Sequence, residues 1–186
     1  YHGNPYFGIN GALLVGGSIA LGEKFSASRY WEDVKKFQAT ILVIHHTPLN
    51  ILLNQPPKEN DPDNTARAVI CAGSTATGAR EFMKRFDIRS ARVGYGATEA
   101  GGTSALSAHH LEDEPVPHNF CGKPRSDIEI EIVDEDDKRL KHGQVGEIVV
   151  RPMEPFVIFS GYYNMPDRTL QVMRNLWYHT GDFGHK

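Results

Sequence analysis

No apolar run in this chain of 186 residues approaches the roughly 18 residues of a bilayer-spanning helix, so no transmembrane segment is expected. No stretch gathers basic residues, and the net charge is −3 with a pI near 6.3. Nucleic acid and anionic membrane surfaces are therefore excluded as main partners. Cysteine is scarce: Cys71 and Cys121 lie far apart with no CxxC pair, which reads as two reduced thiols of a cytoplasmic protein rather than a disulfide. Tyr1-His2-Gly3 offers no charged start ahead of an apolar core, so no signal peptide is expected. There is no initiator methionine, and the chain stops at Gly184-His185-Lys186 just after a dense polar motif. The expectation is a piece of a larger protein. What is present, 40% hydrophobic and 23% charged residues, suits a soluble globular chain of one ordinary domain or two small ones.

The first hundred residues alternate strand-like and helix-like patterns. Ser18–Leu21 is a short apolar run, and RYWEDVKKFQ after Ser26-Ala27-Ser28 reads as an amphipathic helix with a serine cap. ILVI (41–44) reads as a buried strand, and Thr47-Pro48 opens a helix. QPPKENDPDNT (55–65) is a loop. AVIC (68–71), AREFMKRF (79–86) and ARVGY (91–95) then give strand, helix and strand. The fold class expected is α/β: a parallel sheet layer with flanking helices, followed by a smaller antiparallel β module. The boundary is expected in the proline-broken connector EDEPVPHNF, giving an α/β nucleotide-binding subdomain over 1–111 and a β-rich subdomain over 112–186. In the latter, IEIEIV (128–133) alternates strictly and pairs with VGEIVVRP (145–152) across an acidic turn. That turn lacks the spacing and glycine of a calcium loop and reads as a solvated hairpin. MPDRTLQVM (165–173) is a short helix ahead of WYHTGDFG.

Ligands of open parallel sheets bind at the carboxyl ends of the strands. Two such ends are small and polar here: AVIC runs into AGSTATG (72–78), and ARVGY runs into GATEAGG. Both offer backbone N–H groups and close approach, which suits a phosphate or nucleotide. GSTATGAR has Ala79-Arg80 where a Walker loop needs Lys-Ser/Thr, and GYGATE has Glu99 where a dinucleotide fingerprint needs its third glycine. GGSIA lacks the last glycine of a serine-hydrolase elbow. His109-His110 with His118 have no spacing that orders a metal site, and His45-His46 read as packing and solvent contact. What remains is Tyr95 as an aromatic face, Thr98 as a hydroxyl for a phosphate oxygen, Glu99 as a hard ligand for Mg²⁺, and Asp182 for ribose hydroxyls. Spacing alone leaves two readings open: an AMP pocket, or a glycine-rich loop end with a capping Thr and a surface Glu.

At these residues the chain resembles the adenylate-forming superfamily of acyl-CoA synthetases, adenylation domains and luciferases. YHG at 1–3, GYGATE at 94–99, GEIVVRP with SGYYNMPDRT across 146–169, and WYHTGDFG at 177–184 match in order, joined by CGKPRSDIEIEIVDEDDKRLKHGQVGEI. QPPKEND (55–61) and PFVIFSGYYN look most like carnitine/crotonobetaine-CoA ligases. The resemblance implies that Tyr95 stacks on adenine while Gly73, Ser74 and Thr75 close over it. It implies that Gly96, Ala97 and Thr98 meet the α-phosphate and acyl carboxylate, with Thr98 and Glu99 catalytic. Glu99 would hold Mg²⁺, Asp182 would grip the ribose, and His2, Ala97 and Gly102 would border the acyl pocket.

Departures accompany the match. A phosphate loop ending in lysine should precede His2, and a carboxy-terminal domain with a mobile lysine should follow; Val93 and Asn175-Leu176 replace the usual Asn and Asp-Gly. Each missing lysine would stabilise the transition state by roughly several kcal/mol. The implied function is an AMP-forming acid–CoA ligase in the cytoplasm, taking a small carboxylic acid, ATP and CoA, with the isolated chain inactive. Its partners would be the carboxy-terminal domain and, for oligomeric state, either none or further copies. The rivals are an amino-acid adenylation domain and a non-catalytic nucleotide-binding or interaction module. Against the former, Glu99 is the only acidic residue in the two glycine-rich loops, leaving none for a substrate ammonium.

Overall fold

The computed structural model describes residues 3–102, 104–107, 117 and 119–186, with side chains for 7–101, 117 and 119–186. Two compact units emerge: one of residues 1–95 and 105–122, the other of 96–104 and 123–186.

In the first unit, branched apolar runs bounded by polar turns form three parallel strands, β1 (Ile41–His45), β2 (Ala68–Ala72) and β3 (Ser90–Gly94). They lie in the order β1-β2-β3, in register Ile41↔Ala68 and Ala68↔Ser90. Burial alternates along each. Leu42, Ile44, Val69, Cys71, Ala91 and Val93 form the core face, whereas Ile41 is half exposed, so ILVI is not continuously buried. Against that face pack Leu49 and Leu52 of α3 (His46–Leu53) and Ala79, Phe82 and Phe86 of α4 (Ala76–Phe86). Helix α1 (Gly3–Leu14), which the pattern of the sequence does not announce, meets β1, with Gly8 facing Val43.

Helix α2 (Tyr30–Lys36) forms where the periodicity places it, but its serine cap does not: Arg29 holds the cap position without a side-chain bond, and Ser26 and Ser28 contact each other. A mixed acid-first, base-last sequence, Glu32-Asp33 then Lys35-Lys36, favours this short helix through its dipole instead. Ser18–Leu21 forms no strand; Ile19 and Leu21 are exposed. The 55–65 loop is pinned by Arg85, which donates to the carbonyls of Leu53 (2.6 Å), Gln55 (2.9 Å) and Pro56 (3.1 Å) and to Asp61 (2.8 Å). The chain beyond β3 returns as β6 (Ser104–Ser107), antiparallel to it through Val93↔Leu106.

The second unit begins with a tight hairpin of β4 (Gly96–Ala97) and β5 (Gly101–Gly102), two-residue strands too short for any periodicity. After β7 (Lys123–Pro124), β8 (Ile128–Val133) and β9 (Gly146–Pro152) pair antiparallel as the alternation predicts. The acidic turn between them is an Asx-type turn in which Asp134 accepts from the amides of Asp136 and Lys138, both at 2.9 Å. Helix α5 (Pro166–Val172), β10 (Met173–Arg174) and β11 (Trp177–Gly184) complete a sheet in the order β10-β11-β9-β8. Gly146 is obligatory here: a Cβ would sit 2.3 Å from the carbonyl oxygen of Val133. The α/β layer with a separate antiparallel module is the fold class the sequence led us to expect.

Candidate functional site

In the first unit the pairs His45↔Ala72 and Ala72↔Gly94 bring the carboxyl ends of β1, β2 and β3 level. Gly73 and Tyr95 are thus the next residues out from two neighbouring strands. Gly73 takes φ +68°, a left-handed conformation glycine adopts without strain, beside the His45 ring. Ser74 is buried. Thr75 caps α4, its hydroxyl accepting from the Gly78 amide at 3.1 Å, so the helix begins three residues before AREFMKRF and Thr75 has a structural task. His45 and His46 bond through their Nδ1 atoms at 2.9 Å.

In the second unit, Gly96, Ala97, Thr98, Glu99 and Gly102 share the β4–β5 hairpin. Ala100 anchors it, fully buried with Ile128, Val150 and Tyr178. Thr98 is exposed. Glu99 is fixed at both ends: its carbonyl accepts from the Phe159 amide at 2.8 Å, and its carboxylate accepts from the Tyr162 hydroxyl at 2.6 Å. Tyr162 is itself held, its amide donating to Thr169 at 2.9 Å. The hydrogen bond to Glu99, then burial, pushes the Tyr162 hydroxyl above the usual tyrosine value. Burial pushes Tyr178 up further, aided by the charges of Glu99 and Asp182, so both carboxylates act on one phenol.

Asp182 rides on an irregularity of β11. His179 pairs with Val149 and Phe183 with Glu147, so Thr180, Gly181 and Asp182 stand against Ile148 alone. Gly181 takes φ +75° in this bulge, and Asp182 is exposed at its crest. His2 and His109, His110 and His118 lie outside the described residues.

Sequence reasoning missed Tyr162, Glu147 and His179. Tyr162 and Glu147 were visible only as parts of family-like stretches, SGYYN and VGEI, with nothing local to name their partners. Among the described residues no three His, Cys, Asp or Glu side chains converge as a metal cage. The hairpin carboxylate Glu99 is a hard oxygen donor of the kind that suits Mg²⁺, which binds through one or two carboxylates plus substrate phosphates.

The sequence model of the AMP-binding enzyme family matches residues 1–163. The chain belongs to that family. Crotonobetaine/carnitine–CoA ligases are similar to it: those of Proteus mirabilis and Escherichia coli are each 29% identical over 180 residues, covering 94% of this chain. The chain spans about a third of the length of these curated relatives, 33% and 34%. Among solved structures, the amide bond synthetase McbA of Marinactinospora thermotolerans superimposes with a TM-score of 0.74 at 27% identity, over 93% of this chain and 34% of that one. ATP-bound MatB from Rhodopseudomonas palustris gives 0.75 at 25%, over 97% and 35%. The resemblance to adenylate-forming enzymes is thus shown for an AMP-binding family member.

Proposed function

We propose that this chain contributes the nucleotide-handling part of an AMP-forming acid–CoA ligase. The observation that carries the reading is Glu99, a single carboxylate fixed by Tyr162 in a glycine-rich hairpin of an AMP-binding family member. A carboxylate substrate would attack the α-phosphorus of ATP, forming an acyl-adenylate and releasing pyrophosphate. The CoA thiol would then attack the acyl carbon and release AMP.

In this scheme Tyr95 and the Gly73-Ser74-Thr75 turn receive adenine, and Asp182 accepts hydrogen bonds from the ribose hydroxyls. Gly96, Ala97 and Thr98 bring backbone N–H groups and a hydroxyl toward the α-phosphate and acyl carboxylate. Ala97 and Gly102, with His2, border the acyl group. Glu99 would hold Mg²⁺, which neutralises phosphate charge as pyrophosphate leaves. Crotonobetaine and carnitine are the first acids to try, because the relatives' names specify them. No described helix is long and apolar enough to cross a membrane, which is compatible with a cytoplasmic enzyme.

The test is acid-dependent exchange of pyrophosphate into ATP by the full-length protein, beside Glu99→Gln. We expect acid-dependent exchange, AMP as the nucleotide product once CoA is added, and a loss of exchange of about 10²–10³-fold in the variant. Formation of ADP, or equal exchange by the variant, would overturn the proposal. The likeness to an amide bond synthetase supports one second reading, in which an amine replaces CoA. Supplying either acceptor to the preformed acyl-adenylate separates the two.

A further inference from the structure

The three bulge residues of β11 have lost their strand partners, and an exposed loop of that kind would ordinarily be soft. Here one side chain replaces the missing ladder. Glu147, on the facing strand β9, spans the bulge with both carboxylate oxygens: Oε2 accepts from His179 Nδ1 at 2.9 Å and Oε1 from the Gly181 amide at 3.0 Å. Thr180 completes the frame, its hydroxyl donating to the Ile148 carbonyl at 2.7 Å while accepting from the Asp182 amide at 3.1 Å.

Behind the imidazole lies a second carboxylate. His179 is 5% exposed, and its Nε2 lies 3.8 Å from Asp137 Oδ1, close enough for charge attraction but too long for a hydrogen bond. Asn175 and Arg174 hold the other Asp137 oxygen, and Arg174 also approaches Glu147 at 3.4 Å. Glu147 is thus held by His179 and Arg174 and ends at the Gly181 amide, while the Thr180 hydroxyl, fixed on Ile148, takes the next amide, that of Asp182. A carboxylate accepting a backbone N–H is a charge-assisted bond, stronger and geometrically stricter than a neutral one.

We propose that Glu147, backed by His179 and Asp137, is a positioning residue that presents Asp182 to the ribose hydroxyls of the nucleotide. The inference rests on the ribose role of Asp182 given above. It extends that role to residues that do not touch the ligand: Glu147 acts through Gly181, and Thr180 acts directly on the Asp182 amide.

The experiment compares kcat/KM for ATP with that for 2′-deoxy-ATP in the full-length protein, for the unsubstituted enzyme, Asp182→Asn, Glu147→Gln and Thr180→Val. A positioning role predicts that ATP is favoured over the deoxynucleotide by about tenfold or more, one hydrogen bond to a charged group. Asp182→Asn should abolish that preference. Glu147→Gln and Thr180→Val should erode most of it, with KM for ATP rising more than kcat falls. Thr180→Val carries the test if Glu147→Gln does not fold. A merely structural role would lower the rate with both nucleotides equally, and that result overturns the inference while Asp182→Asn still sustains the ribose reading. No preference in the unsubstituted enzyme overturns the ribose reading and this inference with it.

Discussion

In the first unit the most buried side chains are apolar and fill the space between helices and sheet: Phe82 and Leu49 are 0% exposed and Phe86 is 1%. Trp31 stacks over Phe86 at 4.4 Å, and Phe82 lies 4.7 Å from Phe86. In the second unit much of the cross-strand contact is ionic. Glu129 pairs with both Arg139 and Arg151, Lys186 with Glu131 at 3.0 Å, and Arg151 lies over the Trp177 ring at 4.5 Å. The candidate site residues follow the same division. Gly73, Ser74 and Tyr95 leave apolar strand ends, whereas Glu99 is held by the hydroxyl of Tyr162, distant in sequence, and the Gly181 amide beside Asp182 donates to Glu147 on the facing strand. Apolar burial is non-directional and tolerates a change of neighbour; a charge network depends on each partner.

That comparison can be broken most directly in the apolar core. Phe82→Ala should cost about 3–5 kcal/mol, since a fully buried ring is lost and the helix–sheet space cannot close around it. Urea unfolding measures it. A loss below that of Arg151→Met in the second unit would show that we have the division of labour the wrong way round. The next effect is Arg85→Met, which keeps the apolar stem but removes the guanidinium that donates to Asp61 and to the Leu53, Gln55 and Pro56 carbonyls. It should cost roughly 2 kcal/mol, because Asp61 and three carbonyls lose a charged partner. Hydrogen exchange should locate the change in that loop. Unchanged protection there would mean the loop is held by Asn64, which donates to the Phe86 carbonyl at 2.9 Å.

A smaller effect sharpens the other half. Tyr162→Phe leaves the ring packed against Phe159, with centroids 5.1 Å apart, and removes only the hydroxyl on Glu99. Its stability cost should be about 1 kcal/mol. Its larger consequence should be a weakened hold on divalent cation, read with Mn²⁺ by paramagnetic titration in the presence of ATP. Equal Mn²⁺ affinity in the variant would show that Glu99 needs no such support.

Three strands, α4 and the β8–β9 hairpin were legible because each is a local pattern: apolar runs, an i, i+3, i+4 stripe, or strict alternation. GYGATE and HTGD pointed to the stretches that the structure folds into the β4–β5 hairpin and the β11 bulge. What the sequence hid is physically of one kind. Helix α1 carries Gly3, Pro5, Gly8 and Gly11, so its propensity argues against it, and contact with β1 overrides that weak local preference. Tyr162 meets Glu99 across 63 positions and Glu147 meets Gly181 across 34. No spacing rule reaches that far: strand register sets Glu147 beside Gly181, and the Phe159 amide on the Glu99 carbonyl brings Tyr162 to Glu99.

The last effects separate the two units by pH, and the signs are opposite. In the second unit, burial alone would raise Asp137, but the Asn175 hydrogen bond and the charges of His179 and Arg174 outweigh it and hold the carboxyl below its usual value. The unfolded chain therefore binds the proton first on acidification. The stability that Asp137 contributes is present above its unfolded value of about 4 and is lost as pH falls through the lower folded value. In the first unit, burial pushes the Cys71 thiol up to about 12. The unfolded chain then loses its proton first as pH rises, so this contribution is whole below about 8.5 and is lost from there toward the folded value. Melting temperatures across pH 3–11, estimated as a window from about the unfolded carboxylate to thiol values, should decline at both ends. Asp137→Asn should flatten only the acid limb and Cys71→Ala only the alkaline one. If either substitution flattened the limb assigned to the other, the chemistry that distinguishes the two units would have to be reassigned, because linkage depends on which group changes its proton and not on how well it packs.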